Sequence, residues 1–165
     1  METSTESTSP EKARRPIALA IHGTSSRRAE QLIEEGFDPK KSTNLAGRME
    51  AFYYRFHPKT IPPEPYIESS WERASLAVDK DRATGVDSKP VLIVFEPPPA
   101  ISILGRVIMK NPFSKTPQEG SFRKRYRARI LAVIPLPHLG SEQFKRPEER
   151  ARVISDLQNR ILAHK

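Results

Sequence analysis

The chain is predicted to form an α+β domain in which helices pack around a sheet of mixed strand pairing. Strand and helix patterns alternate in the first half of the sequence, whereas three strand patterns follow one another in the second half before a final helix. A doubly wound fold would keep the alternation throughout, so the observed order favours the α+β class. With 165 residues and no cysteine, the chain is long enough to bury one core without disulfide bonds.

The first elements follow a polar segment. Residues 1–15 carry almost no apolar side chains and are predicted to form a disordered leader, which leaves residues 16–165 as a single domain. Large aliphatic residues alternate with alanine over residues 17–21, which predicts a buried strand that ends at His22. Apolar side chains at helical spacing then predict a helix over Ser26–Glu35, closed by a glycine.

A second strand and a second helix are predicted next. The aromatic residues of Glu50–Phe56 favour a strand. The proline-rich segment Thr60–Tyr66 is predicted to be an extended connection, because proline cannot donate to a regular ladder. Ser69 or Ser70 can then cap a helix that runs to about Ala83.

The remaining pattern predicts three strands and a helix. Val91–Phe95 is a continuous apolar run between prolines, which is typical of a central buried strand. Ile101–Met109 and Arg123–Ile134 are predicted to be two further strands. The last helix begins at Pro147 with an acidic first turn, and its apolar stripe extends to Leu162.

The composition limits what the protein can bind. Its formal charge is +8, from 28 Lys and Arg against 20 Asp and Glu, and such a surface attracts the phosphates of nucleic acids, lipids and dinucleotides alike. Four scattered histidines and no cysteine give no reason to expect a metal site. The sequence has neither an apolar run of about 18 residues nor the pattern of a secretory signal. We therefore expect an intracellular protein, in the cytoplasm or the nucleus, without a membrane partner.

One motif suggests a ligand site. In His22-Gly23-Thr24 an imidazole is predicted to lie at the mouth of a strand, next to a glycine. Because glycine has no Cβ, the backbone at this point can approach a ligand closely. The alternative is a histidine that only ends the strand and bonds to the backbone.

In its order of motifs the chain resembles the His-Tyr-Glu branch of the ADP-ribosyltransferase superfamily, which includes poly-ADP-ribose polymerases, diphtheria-type toxins and RNA 2′-phosphotransferases. The resemblance covers about residues 17–134 and implies a mostly antiparallel split sheet, NAD as the substrate, and transfer of ADP-ribose to a protein or nucleic-acid acceptor such as tRNA. It rests on His22-Gly23-Thr24, the helix that closes at Gly36, the strand Phe52-Tyr53-Tyr54, the alanine-containing helix after Ser69-Ser70, and the strand Pro90–Phe95.

The resemblance also implies roles for individual residues. His22 would bind a ribose hydroxyl of NAD, and Gly23 and Thr24 would hold the nicotinamide end of the molecule. Tyr53 would stack on the nicotinamide, since an aromatic face offers a large contact area. Tyr54 points to the opposite face of a regular strand and would not share this role. An ordinary aromatic pair on a half-buried strand is the alternative.

The third residue of the family pattern is a glutamate that stabilises the oxocarbenium-like transition state as nicotinamide leaves. Carboxylates serve glycosyl transfer in this way generally. Glu119 is the candidate, and Glu96 and Glu142 remain alternatives, because residues 117–120 depart from the usual family motif. This departure leaves open whether the transfer activity is retained.

A stripe of arginines supports a different hypothesis. On a strand, a period of two residues places Arg123, Arg125, Arg127 and Arg129 on one face. Guanidinium groups in register suit the phosphates of NAD, RNA or DNA. The chain can therefore also be a non-enzymatic nucleic-acid-binding module, or a partner-binding protein that inherited the fold without a cofactor. A solvated strand face is the simplest alternative.

Two more arginines occupy an unusual place. Arg27 and Arg28 lie in the first turn of the first predicted helix, where positive charge is unfavourable to the helix dipole. Their position indicates an anion nearby, unless both side chains are simply solvated.

Overall fold

The structure is a computed structural model that describes residues 16, 18–38, 51–98, 119–122 and 125–164. Its helices and strands confirm the predicted α+β class. In chain order they are β1 (Leu19–Ser25), α1 (Ser26–Glu35), β2 (Ala51–Phe56), α2 (Glu64–Ala83), β3 (Pro90–Glu96), β4 (Glu119–Phe122), β5 (Arg129–Pro135), a 3₁₀ helix (Glu142–Lys145) and α3 (Pro147–Leu162).

The five strands form one sheet in the order β4-β2-β1-β3-β5, and every pairing between them is antiparallel. The β1–β3 ladder is long and reaches Ser25 opposite Pro90. The β1–β2 ladder contains three residue pairs and ends at Ile21 opposite Tyr54. β2 continues along β4 beyond that point, so the sheet divides between β1 and its neighbour β2.

Each face of the sheet carries its own hydrophobic cluster. The period of two residues along the strands separates the side chains of the two clusters. The larger cluster packs α2 and α3 on one face and includes Ile21, Tyr54, Trp71, Leu92 and Leu157. The smaller cluster packs α1 on the other face and consists of Ala20, Ala29, Phe37, Tyr53, Val91, Ile93 and Phe95. We call this second group the α1-side cluster.

Two predicted boundaries outside the first strand are wrong. The second helix begins at Glu64 rather than at Ser69 or Ser70, because Pro65 lies in the first turn, where its missing N–H has no helical partner to lose. The buried side chains of Tyr66 and Ile67 extend the apolar face of this helix backwards. The strand predicted over Arg123–Ile134 is described from Arg125 onward, and within that part it is regular from Arg129 and ends at Pro135.

The last three residues of the predicted extended connection Thr60–Tyr66 belong to α2. The other predicted helices and strands agree with the structure to within a few residues, apart from Ile101–Met109, which lies outside the described residues. In the part of the chain that is described, no helix is long and apolar enough to cross a membrane.

Candidate functional site

His22 lies inside a strand and not at its mouth. It pairs with Ile93 of β3, and the polar residues that follow it continue the ladder, Thr24 opposite Val91 and Ser25 opposite Pro90. The prediction that the strand ends at His22 is therefore wrong. The half-buried imidazole belongs to the α1-side face, where its ring meets Phe37 edge to face at 5.6 Å between centroids.

Tyr53, like His22, is the first residue beyond the end of the β1–β2 ladder, where the sheet divides. The last β1–β2 pair is Ile21 with Tyr54, so His22 and Tyr53 are the next residues on the two strands. The Tyr53 side chain is 6 % exposed and meets Phe95 edge to face at 5.6 Å. Burial raises the pKa of its hydroxyl above 10.0, although Arg55 partly offsets this, so the phenol is neutral and can donate a hydrogen bond at physiological pH.

Tyr54 lies on the other face of the sheet, as the period of two residues predicts. Its ring stacks on Tyr66 at 4.5 Å between centroids, and its hydroxyl donates to Ser69 Oγ at 2.8 Å. Only Tyr53 of the pair therefore shares a face with His22.

Gly23 is required for packing inside the protein. A Cβ at this position would lie 1.7 Å from the carbonyl oxygen of Ser70, so the backbone that comes close to Gly23 is that of α2. Small side chains on the buried face of α2, among them Ser70, Ala74 and Ala77, allow this approach. Thr24, 4 % exposed, lies in the same ladder. On the side that faces β2, Gly23 lies beyond the last residue pair of the β1–β2 ladder, Ile21 with Tyr54.

The three candidate glutamates lie in different places. Glu119 begins β4, and its register partner is Tyr54, while Gly120 is the partner of Tyr53. Glu96 ends β3 and forms an ion pair with Arg129 at 3.6 Å. Glu142 lies in the 3₁₀ helix and pairs with Lys145 at 2.6 Å. The three glutamates therefore lie on three different elements, and of these only Glu119 is on a strand that pairs with the one carrying Tyr53.

The arginine stripe is divided among several contacts. Arg125 and Arg127 donate to the main-chain carbonyls of Glu35 and Glu34 at the end of α1, at 2.6 and 2.8 Å. Arg129 is the partner of Glu96, and Arg123 lies outside the described residues. The predicted alternation persists from Arg125 to Ile130, with each arginine exposed and the residues between them half-buried.

The anion that Arg27 and Arg28 indicated is a buried side chain of the protein. Asp81 on α2 is 2 % exposed, and its Oδ1 lies 3.6 Å from Arg28 and 3.8 Å from Arg27. Ser88 donates to its Oδ2 at 2.9 Å. Burial by itself raises the pKa of Asp81, but hydrogen bonds from Ser25 and Ser88 and the charges of Arg28 and Arg27 outweigh it and hold the pKa below its usual value.

Sequence reasoning missed Asp81, Phe37 and Phe95 as parts of this region. A signal for Asp81 existed, because it follows Trp71, Ala74 and Val78 at helical spacing and thus lies on the buried stripe of α2. Phe37 gave no comparable signal, since its contact with His22 depends on how α1 packs on the sheet.

The described residues contain no cluster of three or more His, Asp or Glu side chains able to hold a metal ion. Comparison of the chain with models of known families, with curated proteins and with solved structures found no match.

Proposed function

We propose that the protein binds NAD in the manner of an ADP-ribosyltransferase and transfers ADP-ribose to a macromolecular acceptor. The observation that carries this proposal is the division of the sheet at Ile21 and Tyr54, which leaves His22 and Tyr53 as the next residues on the two separating strands. A histidine and a tyrosine on one face, beside the aromatic rings of Phe37 and Phe95, suit a flat nicotinamide and its ribose.

The chemistry of the two side chains supports this assignment. A neutral imidazole both donates and accepts a hydrogen bond, as a ribose hydroxyl requires. The Tyr53 ring offers a stacking face, but it is buried against Phe95. Stacking on nicotinamide therefore requires this ring to turn out of its present contact, and NAD binding is expected to change the environment of Tyr53.

Transfer is proposed separately from binding, because it needs a carboxylate. The bond between nicotinamide and ribose breaks, a nucleophile of the acceptor takes its place, and a nearby negative charge stabilises the positive ribose in between. We assign this role to Glu119. Glu119 lies on β4, which pairs with the strand that carries Tyr53, and it has no part in the contacts proposed to bind NAD. A Glu119 variant is therefore expected to affect transfer and to leave NAD binding nearly unchanged.

Calorimetric titration with NAD tests the binding half. The unmodified protein is expected to bind NAD, and His22→Ala to weaken binding by at least about tenfold, the cost of one hydrogen bond to a polar ligand. His57→Ala is the matched control, because His57 is an exposed histidine at the end of β2 and is expected to leave binding unchanged. Absence of NAD binding by the unmodified protein would overturn the proposal.

Release of nicotinamide tests the transfer half. The unmodified protein is expected to release nicotinamide from NAD, and Glu119→Gln is expected to bind NAD while releasing much less. If Glu119→Gln releases nicotinamide at the original rate, Glu119 is not the catalytic carboxylate. If the unmodified protein binds NAD and releases none, the site binds NAD without turning it over.

A further inference from the structure

We propose that Arg125 and Arg127 bind successive phosphates of a single-stranded nucleic acid, and that the carboxyl end of α1 holds both guanidinium groups in position for it. The two arginines flank Tyr126, which packs against the α1-side cluster, but they are not among the residues proposed to bind NAD, and the proposal does not depend on NAD binding. Two arginines of the predicted stripe, Arg123 and Arg129, are not included, the first because it lies outside the described residues and the second because it pairs with Glu96.

The backbone that carries the two arginines is fixed against α1. Phe37 and Tyr126 form a two-residue bridge in which each N–H donates to the other carbonyl at 2.8 Å. Gly36, with φ +87°, permits this approach, since a Cβ there would lie 2.9 Å from the Tyr126 carbonyl oxygen. Tyr126 packs against the α1-side cluster, so the alternate residues Arg125 and Arg127 are left exposed.

Each guanidinium is oriented by one hydrogen bond and keeps further donors. Arg125 Nε bonds to the Glu35 carbonyl, and an Arg127 Nη bonds to the Glu34 carbonyl. A guanidinium has five N–H donors, and in the described part of the chain no ion pair engages the others. An arginine that is already oriented loses less conformational entropy when it binds an anion.

The spacing of the pair favours a polymer of phosphates over a single phosphate. Alternate residues of an extended chain lie about 6.6 Å apart, so the two groups can each contact a different phosphate along one strand. The formal charge of +8 adds long-range attraction to any nucleic acid. Glu34 and Glu35 belong to the same helix end, and their carboxylates are expected to moderate the affinity.

The test measures binding of a fluorescein-labelled single-stranded oligonucleotide of about 12 nucleotides by anisotropy, between about 50 and 200 mM salt. The double variant R125A/R127A is expected to bind on the order of tenfold more weakly at low salt. Its plot of log K against log salt should be less steep by about 1.4, which is about 0.7 for each lost phosphate contact. E34Q/E35Q is expected to bind more tightly than the unmodified protein.

The control is R152A/R160A, which removes the same two charges. Arg152 and Arg160 are exposed side chains of α3, ion-paired with Glu149 and Asp156, and α3 packs on the opposite face of the sheet. This variant should keep the salt slope of the unmodified protein. Equal losses in the two double variants, or no binding by the unmodified protein, would overturn the proposal.

A footprint on the unmodified protein covers the case in which R125A/R127A does not fold. Phenylglyoxal modifies exposed arginines, and peptide mass spectrometry locates the modified ones. The oligonucleotide is expected to protect Arg125 and Arg127 and to leave Arg152 and Arg160 reactive. Lack of protection, or protection by vesicles of anionic lipid with none by the oligonucleotide, would contradict the assignment.

Discussion

Gly23 shows how a single residue determines where a helix packs. Its backbone touches the Ser70 carbonyl so closely that a Cβ would lie 1.7 Å from that oxygen. The neighbouring turn of α2 is held by Trp71, whose indole N–H donates to the Pro137 carbonyl at 2.7 Å. The helix therefore cannot move away from β1 without breaking other buried contacts, and the lack of a side chain at position 23 is a requirement of the fold.

Gly23→Ala is expected to destabilise the protein by about 3 kcal/mol, the upper end of the usual cost of overpacking a core. The measurement is the free energy of unfolding in urea. Gly85→Ala is the matched control, since Gly85 has φ +78° and a Cβ added there would meet nothing within 4 Å, and its cost should be about 1 kcal/mol. A Gly23→Ala protein as stable as Gly85→Ala would show that α2 can move away from β1.

At the scale of elements, Asp81 joins the end of α2 to the segment before β3 and to the start of α1, which is distant in sequence. It lies near the end of α2, accepts a hydrogen bond from Ser88 before β3, and faces Arg28 in the first turn of α1. Ser25 caps α1 by accepting from the Arg28 N–H at 3.4 Å. A buried carboxylate thus compensates two arginines at a helix end that disfavours positive charge.

Asp81→Asn is expected to lower the free energy of unfolding by about 2 kcal/mol at neutral pH, because it removes a buried charged hydrogen-bond acceptor. Because the folded pKa is below the usual 3.8, the stabilisation is complete above the unfolded pKa and disappears as the pH falls through the folded pKa. The difference in unfolding free energy between the two proteins should therefore be constant above about pH 5 and shrink in stronger acid.

The control for Asp81→Asn is Asp79→Asn on the same helix. Asp79 is 52 % exposed and is hydrogen-bonded to His138 at 2.8 Å, and an exposed polar pair of this kind contributes less than about 1 kcal/mol. If the two variants lose equal stability, or if the Asp81→Asn difference does not change with acid, the carboxylate of Asp81 does not carry the link between the three segments.

The α+β class and most element positions were predictable because they depend on local periodicity and capping. The apolar run Val91–Phe95 and the capped start of the last helix were sufficient for this. Contacts between elements were not predictable in the same way. The motif His22-Gly23-Thr24 indicated the correct region, but whether its glycine faces a ligand or α2 depends on packing, and the register partner of Glu119 depends on how β4 pairs with β2.

For the molecule as a whole, the two clusters share their central strands, and this sharing predicts cooperative unfolding. β1 and β3 contribute side chains to both faces, for example Leu92 to one cluster and Ile93 to the other. Neither face can lose its packing without disrupting strands on which the other depends. A two-state transition is the expected behaviour of a domain with such a shared sheet.

The single tryptophan makes this cooperativity measurable. Trp71 is fully buried in the α2 and α3 cluster, so its emission reports that face, whereas far-UV circular dichroism reports all helices and strands. Ala29→Gly, placed in α1 on the other face, should cost about 1 kcal/mol and lower the urea midpoint of both signals equally. Because Trp71 is remote from α1, a tryptophan midpoint that stays unchanged while the dichroism midpoint falls would show that the two faces unfold independently.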